Sequence, residues 1–74
     1  MTREERKATE AGRETGWNRA NFTDAYGGEA IPEDIEVPER FQTSGLETFF
    51  IAGFEEGVQR FEEGLYPDGS SIPA

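Results

Sequence analysis

Cysteine and histidine are both missing from the 74 residues. Without cysteine there are no disulfides, and without either residue the usual zinc sites cannot form. A serine or threonine nucleophile would lack its usual imidazole base, and a chain this short cannot wall off a carboxylate pair alone. Phosphate-loop, EF-hand and dinucleotide fingerprints are absent too. The sequence therefore predicts a protein that is not an enzyme and that uses no cofactor or metal. Long apolar runs are also lacking, which excludes a spanning helix. The N-terminal stretch MTREERKATEAGRE is charged without an apolar centre, so no signal peptide is expected, and a cytoplasmic protein is the default.

Basic residues are scarce. Seven Lys and Arg face sixteen Asp and Glu, a formal net charge of −9. That balance argues against nucleic-acid binding and against an anionic membrane surface, both of which need a basic footprint. It permits a basic partner, imitation of a nucleic acid, or plain solubility. Glu55/Glu56 and Glu62/Glu63, seven residues apart, would stand about 10.5 Å apart along a helix, a spacing that either mimicry or a solvated face explains.

What the chain does have is concentrated in Ser44 to Leu65, which holds four of the six phenylalanines. Leu46, Phe49, Phe50, Gly53, Phe54, Gly57, Val58 and Phe61 recur at helical spacing, predicting a helix over 45–63. Ser44 with Glu47 forms a capping box, and Gly64 fits just past the end. A first helix is predicted over 3–26, with Thr2 and Glu5 as its capping box and Gly27-Gly28 as its exit. Its inner face is small, Ala8, Ala11, Gly12, Thr15 and Gly16, and turns aromatic at Phe22 and Tyr26. Arg19 falls in the centre of that face. Trp17 points the other way, which suggests either a second contact surface or a place beneath the connecting segment.

Between the helices, residues 27–43 carry Pro32 and Pro38, which rule out a continuous helix. Ile31, Ile35, Val37 and Phe41 can dock this segment on the helices, and a helical turn is expected at Pro38–Phe41. No sheet is predicted. The organisation read from the sequence is one small helical domain over 1–65 and a flexible tail over 66–74, unless Tyr66 and Ile72 are captured.

The helices share a pattern. Residues 11–19 and 52–60 both read A-G-x-E-x-G-x-x-R, by duplication or by chance in short helices of biased composition. Each helix thus places two glycines four apart among its packing residues. Interior glycine costs about 1 kcal/mol relative to alanine, so close helix approach or a groove for a ligand must offset four of them. The arginines allow two readings as well. Arg19 and Arg60 can bridge to glutamates, or with Arg13 they can clamp a phosphate while Tyr26 or Trp17 stacks on a base.

In style the chain resembles small acidic, cysteine-free accessory proteins of phages and other mobile elements, which carry an aromatic helix of the form Phe-x-x-Gly-Phe-x-x-Gly, here Phe50 to Gly57. That resemblance implies an inhibitor or sequestering role and transfers no functional residue.

The sequence thus predicts an all-α, two-helix antiparallel hairpin. The apolar stripe of the second helix is wider than one neighbour covers, which predicts a homodimer or higher oligomer. Phe49, Phe50, Gly53, Phe54, Gly57, Phe61, Gly12 and Gly16 are the expected interface, with Phe49, Phe54, Trp17 and the glutamates meeting a host protein target. The alternatives are a sponge that holds a small anionic nucleotide between subunits, and a structural element of a larger assembly.

Overall fold

A computed structural model describes residues 1–43 and 45–73. Its elements are helix α1 (Arg3–Tyr26), a 3-10 turn (Glu39–Phe41) and helix α2 (Leu46–Glu62), the two helices packed against each other. Among the described residues the only extended pairing is an isolated bridge between Leu65 and Ser71.

The first helix starts as its sequence dictates. The Thr2 hydroxyl accepts from the Glu5 amide at 3.1 Å, and the Glu5 carboxylate accepts from the Thr2 amide at 2.7 Å. These bonds satisfy donors that a helix start leaves unpaired. Gly27 ends the helix with φ of +88° and donates to the Thr23 carbonyl at 2.7 Å. Gly27 can hold that left-handed conformation because it has no Cβ. The second helix closes similarly: past Glu63, Gly64 donates to Phe61 and Leu65 donates to the Arg60 carbonyl. The Ser44–Glu47 box falls outside the described residues.

The helices run parallel, which corrects the expected antiparallel sense. Thr9 faces Gly53, Arg13 faces Gly53 and Gly57, and Trp17 faces Gly57 and Phe61, so positions ascend together along both helices. The connection explains the difference. An antiparallel helix hairpin needs only a short loop, whereas a parallel neighbour needs a connection that runs back the length of the first helix. Residues 27–45 supply that length, and they lead back to the start of α1, where Arg40 and Phe41 border a hollow shared with Glu4, Lys7 and Ala11.

The glycines set the helix separation. A Cβ on Gly12 would overlap the Phe50 carbonyl oxygen and stand 2.9 Å from the Phe54 nitrogen. A Cβ on Gly53 would overlap the Thr9 carbonyl oxygen and stand 3.1 Å from the Arg13 nitrogen. These contacts are one contact written twice, because Thr9 and Phe50, Arg13 and Phe54, and Gly12 and Gly53 are each 41 positions apart. The sequence match from Ala11–Arg19 to Ala52–Arg60 has that same offset. Gly16 against the Phe54 carbonyl and Gly57 against the Arg13 carbonyl complete the set. The pair therefore has a local two-fold axis along the helices, and its closeness is backbone on backbone. Small residues permit such an approach in membranes, but no helix among the described residues is long and apolar enough to cross one.

The chain fills the two grooves of the pair differently. In one groove the connection lays Val37 and Phe41 into the core with Ala8, Ala20, Phe50, Phe54 and Val58, and the Phe41 and Phe50 rings stack at 5.9 Å. Phe50 is wholly buried. This covering answers the excess apolar width of α2 within one chain. The other groove holds the C-terminal segment. Tyr66 donates to the Ser70 carbonyl, Gly69 to Tyr66 and Ile72 to Gly64, making a small closed hairpin. Tyr66 packs beside Trp17, which is the capture named in the sequence as the alternative to a flexible tail.

Candidate functional site

Each predicted site residue has a definite place in this fold. Gly12, Gly16, Gly53 and Gly57 are buried between α1 and α2, as are Phe50 and Phe54, while Phe49 and Phe61 pack at the edge of the core. The predicted interface is thus the interface within one chain. Phe54, only 4% exposed, has no surface left for a target.

Trp17 is half-buried, not an exposed platform. Its Nε1 donates to the Leu65 carbonyl at 2.6 Å, its ring meets Phe61 edge-on at 5.4 Å, and Tyr66 lies tilted over it at 6.1 Å. It therefore sits beneath the C-terminal hairpin. The sequence reading placed it at a free surface or beneath the connecting segment. The Pro-Asp-Gly turn was the available signal, since a turn directly after α2 sends the chain back along the groove.

Within one chain Arg13 and Arg60 meet at Glu56, and Arg19 lies apart from them. Arg19, expected at the centre of the packing face, is exposed, and its Nε donates to the Glu29 carbonyl at 3.0 Å. The glycines draw the helices so close that the centre of the face holds only small residues, and Arg19 is displaced to its rim. Arg60, its partner at the 41-residue offset, binds the Pro67 carbonyl. Each arginine thus secures the segment that follows its helix. Arg60 also meets Glu56 at 2.8 Å, and Arg13 meets the same carboxylate from α1 at 2.9 Å. That shared Glu56 spans the groove where α1 presents Thr9 and Arg13 in place of Phe50 and Phe54. The Arg13 Nε lies close to Glu56 but lacks a well-directed hydrogen bond, so the pairing there is mainly charge on charge. Tyr26 lies on the opposite side of α1 from Trp17, because nine residues turn a helix by about 180°.

Two surface features remain once the core is assigned. The first is an aromatic pair at the end of α1. Phe22 and Tyr26 are 56% and 79% exposed, with ring centroids 4.9 Å apart. The second is a cleft of about 480 Å3 between α1 and the C-terminal hairpin, bordered by Trp17, Tyr66, Glu10, Glu14, Arg13 and Asp68. Ser70 donates its hydroxyl and its amide to the Asp68 carboxylate, at 2.6 and 2.8 Å. The hydroxyl bond first, then the amide bond, hold this carboxyl below its ordinary 3.8, outweighing a slight desolvation, and the nearby Arg60 charge adds a smaller pull in the same direction. In the sequence Phe22 and Tyr26 stand out only as the aromatic end of the α1 face, with Tyr26 also a stacking candidate, and nothing singles out Glu10, Glu14 or Asp68.

Comparison with protein-family models, curated proteins and solved structures finds no match to this chain.

Proposed function

We propose that the protein is a non-enzymatic binding protein of the inhibitor or sequestering kind, which works in the cytoplasm by covering a surface of a protein target. The observation that supports this reading is the exposed Phe22–Tyr26 pair. Two adjoining aromatic rings on an acidic 74-residue chain are apolar surface that folding left uncovered. Aromatic side chains in such positions commonly anchor protein interfaces. The resemblance to phage accessory proteins directs the search for the target to host machinery. Self-association uses the same pair in this reading, since the broad face of α2 is already covered by Val37 and Phe41.

Affinity capture from host lysate, with sedimentation of the isolated protein, tests this. The expected outcome is a defined partner, or a defined self-assembled species, that is lost in Phe22→Ser/Tyr26→Ser while thermal unfolding is unchanged. Equal capture and equal sedimentation by wild type and variant would overturn the assignment of this surface.

A further inference from the structure

The cleft between α1 and the C-terminal hairpin lies on the other side of α1 from Phe22 and Tyr26 and needs its own account. We propose that it receives a lysine or arginine side chain presented by a basic partner segment.

Three observations carry the proposal. The cleft has a fixed aromatic wall: Trp17 is held by its bond to Leu65 and by Phe61 at its edge, and Tyr66 leans over it. Aromatic rings attract cations through the electron density on their faces. The border is also negative. Glu10, Glu14 and Asp68 line it, and none of them forms an ion pair among the described residues. Glu10 and Glu14 are four apart on α1, a mutually repelling pair; Lys7 and Arg40 share a neighbouring hollow with them, but neither is ion-paired to them. The one cation on the border, Arg13, shares Glu56 with Arg60, so that trio keeps a single positive charge against the three border carboxylates.

Together these features select the ligand chemistry. An anion meets three carboxylates and is rejected. A bare metal ion finds no chelating group, because no three carboxylates converge on a point among the described residues. A long side chain ending in a cation fits, with its methylenes against the indole and its charged end between the carboxylates. The overall charge of −9 adds long-range attraction for a basic segment.

The single tryptophan is the reporter for the test. A lysine-rich octapeptide titrated into the intact protein should change Trp17 emission saturably, and its glutamate counterpart should not. Glu10→Gln/Glu14→Gln should weaken the lysine peptide about tenfold, the scale of losing a charge-assisted contact. Glu33→Gln/Glu36→Gln alters net charge equally on the connecting segment and should change affinity less than twofold. No saturable change, or equal weakening by both charge variants, would overturn the proposal. Phe22→Ser/Tyr26→Ser should bind the peptide normally, so failure of the aromatic-pair reading and failure of this one are told apart.

Discussion

Replacing Gly53 by alanine sets two effects of opposite sign against each other. In a helix interior the change gains about 1 kcal/mol of backbone propensity. Here the new Cβ would overlap the Thr9 carbonyl oxygen, 3.0 Å from its carbon and 3.1 Å from the Arg13 nitrogen. Those atoms belong to helical backbone, so no side chain can swing aside and the helices must separate. Overpacking of this kind costs about 1–3 kcal/mol. A gap of roughly 0.5–1 Å also forfeits a quarter to a half of each neighbouring dispersion contact. Steric cost dominates, and the expected net loss is about 2 kcal/mol, or roughly 8–16 °C in melting temperature for a domain of this size. Circular dichroism at 222 nm during heating, with urea unfolding alongside, measures it. Ala52→Gly, exposed on the same helix, calibrates the propensity effect and should cost about 1 kcal/mol. Gly12→Ala, at the equivalent position, should match Gly53→Ala within about 0.5 kcal/mol. The double variant should lose less than the sum, because helices already moved apart no longer meet the second methyl. A melting temperature that rises in Gly53→Ala would refute the close-packing argument.

Two further outcomes are expected. The absence of native cysteine makes directed cross-linking clean: Glu5→Cys with Leu46→Cys should be bridged by a short bismaleimide, whereas Glu5→Cys with Glu62→Cys should not, and the reverse result would restore the antiparallel arrangement. Asp68 has a lowered folded value, so its contribution to the C-terminal hairpin is fully present above its ordinary 3.8 and is lost as pH falls through the lower folded value. Trp17 emission should follow that acid transition in wild type, and Asp68→Asn should remove it; an identical acid profile in the variant would sink the link.

The helices were legible in the sequence because their signals are local: the Thr2–Glu5 box, the glycine exits and the spacing from Leu46 to Phe61 all act within a few residues. The glycines were legible as a cost awaiting an explanation. Helix direction was not, because the small-residue faces of α1 and α2 fit one another in either sense, and only the route of residues 27–45 decides between them. The same route explains why Arg19 was misplaced and why α2 looked half-satisfied: a helical wheel has no place for a loop that enters the groove. The place of Trp17 is hidden for a similar reason, since Phe61, Leu65 and Tyr66, which pack on it, come from far along the chain. Glu10 and Glu14 carry no local signal beyond acidity, and only the fold sets them against an aromatic wall.

Parallel packing gives the molecule an electrical direction. In an antiparallel pair the helix macrodipoles oppose and largely cancel. Here both amino ends lie at one pole and both carboxyl ends at the other, so the partial charges of about half a unit at each terminus reinforce. Glu4, Glu5 and Glu47 occupy the first turns, where they offset the positive pole. The far pole is balanced unevenly: α2 has Arg60 in its last turn, α1 has no basic residue there, and Asp24, Glu62 and Glu63 add charge of the same sign as the carbonyls. The helix-dipole share of the negative potential is therefore least compensated where the helices end, and it would help to turn a basic partner toward that end before any side chain touched it.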